Sequence, residues 1–379
     1  MKILEVTNLF SPVHGGSAEV PYQLSRELSQ RGHRLTLYTS DLQIGQEYRR
    51  YLPESEVCAF KTFALLNFQV TPGMIARARD EVKRFDVIHL HNYRTFQNIL
   101  IHHYAKQYGI PYVLQAHGSL PRIMGKETLK RIFDNLWGYN ILQDAARLIA
   151  VTKVEAEQYQ DMGVSEAKIE IVPHGINLAE FENLPQRGEF RSKHGLADNE
   201  KIVLYLGRIH RIKGLDLLAR AFADIARSTA DVRLVVVGPD GGYRPALEKL
   251  LTSLGISDRV LLTGTLYGRD KLQAYVDADV YVLPSSYEIF GITILEACAC
   301  GIPVVVTDRC GIADVIHEQA GLAVPFDKEA LSRAIVRLLD DASARLEFGK
   351  KGKQLVQETF NWGRIAKKVE GIYAGISNR

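Results

Sequence analysis

The sequence is poor in cysteine. Its 379 residues include only Cys58, Cys298, Cys300 and Cys310. No two of them have the C-x-x-C spacing of zinc and redox sites, and Cys298 and Cys300 would point to different faces of one helix. The sequence therefore predicts neither a disulfide framework nor a cysteine-based metal centre, and a reducing cytosol is the simplest setting for it.

Long hydrophobic runs are also absent. No stretch of about eighteen apolar residues occurs, so we expect no membrane-spanning helix. The start of the sequence has a charge, Glu5, within its short apolar run and lacks a small-residue cleavage site, so it does not resemble a signal peptide. These features favour a cytoplasmic protein, with association at the inner face of the membrane left open by the charge pattern described next.

An excess of one charge sign is missing as well, because the formal net charge is only +3. A nucleic-acid-binding domain normally carries a strong basic excess, so we expect no nucleic-acid partner. One stretch departs from this balance. Residues 71–131 contain ten Lys or Arg against four Asp or Glu, a local excess of six.

Short runs rich in Val, Ile and Leu alternate with longer amphipathic stretches, which is typical of parallel sheets covered on both faces by helices. The first predicted strands lie at residues 3–7, 35–38, 87–90, 112–115, 148–151 and 169–172. A second series lies at residues 202–206, 234–237, 260–262, 280–283 and 304–306. The sequence therefore predicts an α/β protein with two doubly wound parallel-sheet domains.

The boundary between the two series falls in residues 177–199, where Pro185, Gly188, Gly195 and many charges break any periodicity. We predict an N-terminal domain at 1–180, a C-terminal domain at 181–360 and a last helix within 361–379. Ligands of open α/β sheets bind beyond the carboxyl ends of the strands, so we expect a ligand cleft between the two domains.

The first candidate ligand-binding motif is the glycine pair Gly15-Gly16, between the first predicted strand and a helix-like run. Two glycines before a helix let backbone N–H groups approach an anion closely. A tight turn without a ligand explains the pair equally well. The G-x-G-x-x-G dinucleotide fingerprint occurs nowhere between a predicted strand and helix.

A second motif follows the first strand of the C-terminal domain. Arg208 and Lys213 lie five positions apart in a loop bounded by glycines, where two cations could bind a phosphate group. Taken alone, such loop cations are more often solvated charges.

The third motif, residues 285–297, contains Glu288 and Glu296 on either side of a predicted helix start near Gly291. The free N–H groups near Phe290, Gly291 and Ile292 would meet a diphosphate at the positive end of that helix. Glu296 lies among apolar neighbours and needs hydrogen-bond donors, which the hydroxyls of a ribose would supply. A structural Arg partner is the alternative.

Together these motifs resemble glycosyltransferase family 4. Glu288 and Glu296 match the E-x7-E element of that family, Arg208 and Lys213 match its G-R-x4-K-G element, and Gly15-Gly16 matches its N-terminal glycine pair. The similarity covers almost the whole chain and includes Ala116-His117-Gly118, His174-Gly175-Ile176-Asn177 and Phe360-Asn361-Trp362.

The resemblance implies a GT-B fold, with two Rossmann-like domains facing each other across a cleft. It also implies retaining transfer of a hexose from a nucleoside-diphosphate sugar, such as GDP-mannose or a UDP-hexose, with neither a cofactor nor a bound metal. The C-terminal domain would hold the donor and the N-terminal domain the acceptor, and the last helix would cross back onto the N-terminal domain.

The resemblance further assigns roles to individual residues. Catalysis would depend on Glu288 at the sugar hydroxyls, His117 beside the transferred sugar, and Arg208 and Lys213 at the diphosphate. Donor binding would add Gly15, Gly16, Phe290, Gly291, Ile292, Thr293 and Glu296, the last on the ribose. Whether Glu288 acts as a nucleophile or the reaction proceeds through a front-face ion pair stays open. The order Gly238-Pro239-Asp240-Gly241 departs from the G-D-G-P-like turn of the family, which puts its donor contacts in doubt.

For the acceptor we expect a glycan or a lipid-linked intermediate of cell-surface polysaccharide assembly, with a small soluble acceptor as the alternative. Apolar and basic side chains interleave over residues 71–137, which would suit loose docking on an anionic membrane. A solvated face over ordinary core residues explains the same pattern.

Rival functions are a noncatalytic sugar-nucleotide-binding module and a nicotinamide oxidoreductase. The first would be favoured by loss of the glutamates or cations, all of which are present. The missing dinucleotide fingerprint opposes the second. A phosphorylase or a nucleotide-sugar epimerase of the same fold remains a third possibility.

Overall fold

The protein forms two compact units in a computed structural model that describes residues 1–10, 19–42, 44, 52, 56–65, 68–123 and 125–377. One unit combines Met1–Gly175 with Trp362–Arg379, and the other is Ile176–Asn361. The chain therefore leaves the first unit, builds the whole of the second, and returns to the first.

The first unit contains a seven-stranded parallel sheet with strand order β3-β2-β1-β6-β7-β8-β9. Its strands are β1 (Lys2–Val6), β2 (Arg34–Ser40), β3 (Glu56–Phe60), β6 (Val87–His91), β7 (Tyr112–Gln115), β8 (Arg147–Ala150) and β9 (Ile169–Ile171). A separate antiparallel pair joins β4 (Phe63–Leu65) to β5 (Phe68–Val70).

Helices connect these strands. They are α1 (Val20–Gln30), α2 (Met74–Glu81), α3 (Phe96–Tyr108), α4 (Glu127–Phe133), α5 (Tyr139–Asp144), α6 (Lys153–Asp161) and, after the second unit, α15 (Trp362–Ser377). A π-helical turn, Asp134–Gly138, joins α4 to α5, and single 3-10 turns lie at Val82–Arg84 and Glu166–Lys168.

The second unit contains a six-stranded parallel sheet with strand order β12-β11-β10-β13-β14-β15. Its strands are β10 (Lys201–Leu206), β11 (Val232–Val237), β12 (Val260–Gly264), β13 (Val280–Leu283), β14 (Val304–Thr307) and β15 (Gly321–Val324). The interior strands are continuous apolar runs because helices cover both faces of the sheet.

The helices of the second unit are α7 (Glu189–His194), α8 (Leu215–Ser228), α9 (Arg244–Leu254), α10 (Gly268–Asp277), α11 (Ile292–Cys300), α12 (Ala313–Ile316), α13 (Lys328–Asp340) and α14 (Ala342–Thr359). Single 3-10 turns lie at Leu178–Phe181, Arg211–Lys213 and Ser257–Arg259. The predicted fold class, two Rossmann-like parallel-sheet domains, is confirmed.

Each sheet has a point at which the strand order reverses. In the first sheet β1 pairs with β2 on one side and with β6 on the other, and in the second β10 pairs with β11 and with β13. The loops that follow these strands diverge to opposite faces and leave a crevice, where ligands of such sheets bind. The sequence motifs singled out above follow β1, β10 and β13.

The segment predicted to contain the boundary between the domains is partly helical. Within it, the α7 residue Arg191 is buried and donates to the Ala197 and Glu200 carbonyls, the Asp277 carbonyl and the Asp279 carboxylate. A short helix lacking an apolar period is stable here because a buried arginine with four acceptors ties it to the sheet. The segment thus belongs to the second unit.

Helix α15 packs in the first unit, where Ile365, Val369 and Tyr373 are buried. It contacts α1 and β6, and Glu370 accepts hydrogen bonds from Arg31 and His33. Its first residue, Trp362, lies so close to Gly175 that a Cβ atom at Gly175 would be 2.7 Å from the indole.

Candidate active site

Two loops meet at the reversal point of the second sheet. The loop after β10 carries Arg208 and Lys213, and the loop after β13 carries Glu288. Ser286 joins them, because its backbone N–H and its hydroxyl both donate to the Ile212 carbonyl, at 2.9 and 3.0 Å. Lys213 and Glu288, which are 75 positions apart in the sequence, are therefore held side by side.

Gly214 makes this approach possible. Its φ of 66° lies in the left-handed region, and a Cβ atom there would be 1.9 Å from the Pro284 carbonyl oxygen. Only glycine can adopt this conformation at such a contact without displacing backbone. The glycine that ends the G-R-x4-K-G element thus sets the distance between the two loops.

Lys213 forms an ion pair with Glu288 through its Nζ and the Oε2 atom. Both side chains are mostly buried, with exposed fractions of 20% for Lys213 and 14% for Glu288. The Glu288 backbone is fixed in turn, since its N–H donates to the Arg309 carbonyl and its carbonyl accepts from Gly311. The carboxylate therefore has one defined position at the end of β13.

Arg208 differs from Lys213 in that its side chain is exposed and forms no ion pair with any residue the structure describes. Its aliphatic part packs against the altered turn at Gly238–Gly241, because a Cβ atom at Gly241 would be 2.7 Å from Arg208 Cγ. Asp240 of that turn caps α9, accepting from the backbone of Gly242, Tyr243 and Arg244. The altered turn therefore contacts the aliphatic part of the Arg208 side chain.

Helix α11 begins directly after Glu288 and Phe290. Gly291, at φ 78°, precedes its first turn, which has no side-chain cap. The first N–H groups of a helix lack partners within the helix, so the backbone of Ile292 and Thr293 presents donors and a partial positive charge at this end. Phe290 itself is buried and packs edge-on against Phe360.

Glu296 lies one turn further along α11, and both of its oxygens are bonded. Oε1 accepts from Lys271 Nζ and Oε2 from the Tyr275 hydroxyl, each at 2.8 Å. Thr293 is held similarly, since Tyr281 donates to its hydroxyl at 2.6 Å. Lys271, Tyr275 and Tyr281 are site residues that sequence reasoning missed, although a buried carboxylate on α11 indicated that some donor had to face it.

In the first unit, Gly15 and Gly16 lie outside the described residues. His117 follows β7 at φ 53°, a left-handed conformation that is uncommon for any residue other than glycine. Both of its ring nitrogens are engaged, Nε2 with His91 at 2.9 Å and Nδ1 with His174 at 3.0 Å. His117, which sequence reasoning singled out alone, is therefore the middle member of a group of three hydrogen-bonded histidines.

Glu5, His89 and His91 bring potential metal-ligand atoms within 4.8 Å of one another in the buried core of this unit. His91 Nε2 already bonds Glu5 Oε2 at 2.5 Å, and Tyr373 lies 2.6 Å from His89 Nδ1 and 3.2 Å from Glu5 Oε1. The carboxylate oxygens and three of the four ring nitrogens are therefore hydrogen-bonded within the protein, which favours a hydrogen-bond network over a metal centre.

Comparison with known proteins places the two units separately. Residues 14–180 match the family model described as Glycosyltransferase Family 4, and residues 186–355 match Glycosyl transferases group 1. An uncharacterised glycosyltransferase of Methanocaldococcus jannaschii is 30% identical over 98% of both chains. The chain belongs to glycosyltransferase family 4. It is a glycosyltransferase, an enzyme that uses a nucleotide-sugar donor.

Further similarities agree with this membership. The alpha-monoglucosyldiacylglycerol synthase of Streptococcus pneumoniae is 28% identical over 89% of this chain and 78% of the relative. The structure of sucrose-phosphate synthase from Thermosynechococcus elongatus superposes with a TM-score of 0.78 at 26% identity, covering 99% of this chain and 98% of that one. The family 4 enzyme described here therefore shares the GT-B fold.

Proposed function

We propose that this glycosyltransferase is a retaining hexosyltransferase that takes its sugar from a nucleoside-diphosphate hexose of the GDP-mannose or UDP-hexose type. The acceptor in this proposal is a glycan or a lipid-linked intermediate of cell-surface polysaccharide assembly. The observation that carries the proposal is the paired loops of the second sheet, where Lys213 is bonded to Glu288 beside the uncapped start of α11.

The paired loops suit a leaving diphosphate. As the bond between sugar C1 and the β-phosphate oxygen breaks, negative charge grows on that phosphate, and Arg208, Lys213 and the first N–H groups of α11 would oppose it. The acceptor hydroxyl oxygen bonds to C1, and its proton passes to the departing phosphate. Because these fixed charges supply the neutralisation, we propose that the reaction needs neither a metal ion nor a cofactor.

The remaining roles in this proposal are those that the resemblance to glycosyltransferase family 4 implies. Glu288 would contact the sugar hydroxyls, and His117 would lie beside the transferred sugar. Glu296 would accept a ribose hydroxyl in addition to its bonds with Lys271 and Tyr275, since each carboxylate oxygen has two lone pairs. Gly15 and Gly16 would add backbone donors to the diphosphate.

The donor class can be tested by thermal shift with UDP, GDP, ADP and their sugar conjugates, because a ligand that binds the folded state raises Tm. We expect one nucleotide to stabilise the wild type and to lose its effect in Arg208→Ala and Glu296→Ala. Arg269→Ala is the matched control, since Arg269 is an exposed cation of the same unit that pairs with Glu189. Absence of a shift with every nucleotide would reduce the protein to a noncatalytic member of the fold.

Turnover separates transfer from the other reactions of this fold. We expect free nucleoside diphosphate to appear only when acceptor is present and to form equally well in EDTA. Product anomeric configuration, read from the C1 proton coupling by NMR, should match that of the donor. Inversion of that configuration would contradict the proposed stereochemistry, and conversion of the donor without an acceptor would indicate an epimerase.

The acceptor proposal is supported by an apolar and basic surface on α4 and the π-helical turn, which we call the α4 surface. Leu129, Ile132 and Leu136 are 56%, 48% and 56% exposed and fall on one helical face, and Trp137 is 42% exposed beside them. Lys126, Lys130 and Arg131 flank this face. Such a surface is suited to an anionic membrane, where lipid-linked acceptors reside.

The rest of the basic stretch offers fewer unpaired cations for a membrane contact than its sequence indicated. Arg77 is paired with Glu56 and Glu81, and Arg79 with Asp80. Met124, one of the apolar residues interleaved with the cations of this stretch, lies outside the described residues. Among the described helices, none is both long and apolar enough to cross a bilayer. The membrane contact proposed here is therefore peripheral and centred on the α4 surface.

Co-sedimentation with vesicles tests this contact. We expect binding to phosphatidylglycerol vesicles at low salt, weaker binding to phosphatidylcholine, and loss of binding in Leu136→Ser. Leu346→Ser is the control, because Leu346 is 77% exposed in the second unit. No binding at low salt would remove the membrane from the proposal and favour a small soluble acceptor. Among the relatives, monoglucosyldiacylglycerol synthase is named for a lipid product and sucrose-phosphate synthase for a soluble one.

A further inference from the structure

A row of hydrogen-bonded side chains crosses the carboxyl edge of the first sheet. It runs from Glu5 on β1 to His91 at the end of β6, then to His117 after β7 and His174 after β9. The three successive contacts measure 2.5, 2.9 and 3.0 Å. We call these four residues the histidine row. The rings of His91 and His117 stack at 8° between planes, so the row is geometrically regular.

One end of the histidine row is ionised and buried. Burial by itself raises the pKa of Glu5, but the attraction of His89 and the hydrogen bonds from His89 and His91 lower it to about 2. Glu5 is therefore a carboxylate at neutral pH and can only accept hydrogen bonds. Its Oε2 atom must receive the proton of His91 Nε2.

The other three members are neutral. Burial lowers the pKa of His91 to about 4 and that of His174 to about 3. Burial and the neighbouring histidines hold the pKa of His117 well below its usual range. A neutral imidazole has one donor and one acceptor nitrogen. Each ring in the row must therefore donate toward Glu5, and His91 and His117 must each accept from the next ring.

Direction follows from this rule. His91 donates from Nε2 to Glu5, so its Nδ1 is an acceptor for His117 Nε2–H. The Nδ1 atom of His117 is then the acceptor for His174 Nε2–H. A single buried carboxylate thus sets the tautomer of all three rings, although it touches only the first.

We propose that Glu5 is a positioning residue for glycosyl transfer, which acts through His91 to hold His117 as the neutral Nε2–H tautomer in one ring orientation. This rests on the proposed function, in which His117 lies beside the transferred sugar. Positive charge develops on that sugar as the donor bond breaks. A neutral ring avoids the repulsion that a charged imidazolium would exert, and the row fixes the ring although His117 has a strained backbone.

The row also explains why Glu5 is tolerated in a sheet interior. Isolated, a buried carboxylate destabilises the fold strongly. Here Oε2 is bonded to His91 and Oε1 lies 3.2 Å from the Tyr373 hydroxyl of α15. Removing the carboxylate would leave the proton of His91 Nε2 without its acceptor.

The test uses the full-length protein labelled with 15N-histidine. Long-range 1H–15N spectra, assigned with single His→Gln variants, distinguish Nδ1–H from Nε2–H rings. We expect wild-type His91, His117 and His174 to be Nε2–H and neutral at pH 7.5. A His117 ring that carries its proton on Nδ1, or that is charged, would overturn the proposal without any variant.

Glu5→Gln supplies the kinetic readout. A neutral amide no longer dictates the direction of the row, so we expect a mixture of tautomers at His91 and His117. We expect kcat to fall by about 10- to 100-fold, by analogy with the loss of a partner that orients a metal-bound histidine. The KM for the donor should be nearly unchanged. An unaltered kcat together with unaltered tautomers would contradict the proposal.

Tyr373→Phe is the control, because it removes the hydroxyl that contacts Glu5 Oε1 and His89 Nδ1 and leaves the carboxylate and the histidine row in place. We expect wild-type tautomers and wild-type kcat, and a loss equal to that of Glu5→Gln would assign both effects to core packing instead. Nucleoside diphosphate binding by thermal shift is measured in parallel. If the wild type neither binds nucleotide nor turns over donor, the proposed function fails. The NMR spectra still test the predicted tautomers of the histidine row in that case.

Discussion

Glu155 is buried under the loop that carries His117, and its ionisation should make the stability of the first unit depend on pH. Its Oε1 atom accepts from the Gly118 N–H at 2.6 Å and its Oε2 atom from the Val151 N–H at 2.8 Å. Burial raises the pKa of this carboxyl from 4.5 to about 7, although the two backbone donors oppose the change. The folded protein therefore holds a proton that the unfolded chain releases.

The sign and size of the effect follow from linkage. A raised pKa in the folded state stabilises the fold fully below pH 4.5, and this stabilisation is lost as pH rises through about 7. Each pH unit inside that window changes the free energy of unfolding by about 1.36 kcal/mol. From pH 5.5 to pH 7 the contribution of Glu155 should therefore fall by about 2 kcal/mol.

Urea unfolding followed by tryptophan fluorescence measures this directly, because Trp137 and Trp362, the two tryptophans of the chain, both belong to the first unit. The wild type is compared with Glu155→Gln at several values of pH between 5.5 and 8. The amide in Glu155→Gln does not titrate, so it destabilises the protein by the same amount at every pH. The quantity to follow is therefore how the difference in free energy of unfolding between the wild type and Glu155→Gln changes with pH.

We expect that difference to shrink as pH rises and to level off above pH 7. Glu157→Gln is the control, since Glu157 lies on the same helix and is exposed. A difference that is constant with pH, or that grows as pH rises, would refute the reasoning. A constant difference would mean that the two backbone donors offset burial and hold the pKa of Glu155 at or below its usual value, so that the carboxyl is ionised in the folded and the unfolded protein throughout this range.

Two further substitutions test contacts of the second unit. Gly214→Ala should cost about 1–2 kcal/mol for the left-handed conformation alone, and more in total because its Cβ atom would lie 1.9 Å from the Pro284 carbonyl oxygen. Gly255→Ala, with φ 69° and no atom within 4 Å, measures the conformational part by urea unfolding, and equal losses would disprove the contact effect. Arg191→Ala should destabilise the unit by about 3–5 kcal/mol because it removes the buried cation paired with the buried Asp279 and leaves three backbone carbonyls without the donor they share. Arg187→Ala, which removes a 59% exposed partner of the same carboxylate, should cost about 1 kcal/mol or less, and similar losses in the two variants would contradict the importance of burial.

The strands could be predicted within about two residues wherever the sheet is buried on both faces, as at Val280–Leu283. Continuous apolar runs between turn residues leave little choice of structure there. Of the four edge strands of the two parallel sheets, β9 and β12 were predicted, whereas β3 and β15 were missed. Glu56–Phe60 is partly exposed and mixes polar with apolar residues, and Gly321–Val324 is short and begins with glycine.

The candidate donor site was accessible to sequence reasoning because its residues follow predicted strands in motifs of fixed spacing. The loops after β10 and β13 had to meet once those strands were neighbours in the sheet. The contacts between side chains of different elements could not be predicted from the sequence. That Lys271 and Tyr275 would take both oxygens of Glu296 depends on how α10 packs on α11, which no local pattern encodes.

The histidine row shows the same limit more strongly. His117 could be singled out by its position at the end of a predicted strand, but His91 and His174 are 26 and 57 residues away from it. Their pairing depends on the register of β6, β7 and β9. Tyr373 is further still, 368 residues from Glu5, and its contact exists only because the last helix belongs to the first unit.

That return of the chain has a consequence for biosynthesis. During synthesis β1 emerges long before α15, so the first unit lacks this helix until the whole of the second unit has been synthesised. Until then Glu5 lacks its contact with the Tyr373 hydroxyl, and α1 and β6 lack the apolar residues of α15 that cover them in the folded protein. A nascent chain truncated before Trp362 should accordingly hold a native second unit beside an incomplete first one, so the first unit completes its folding only after the second has been made.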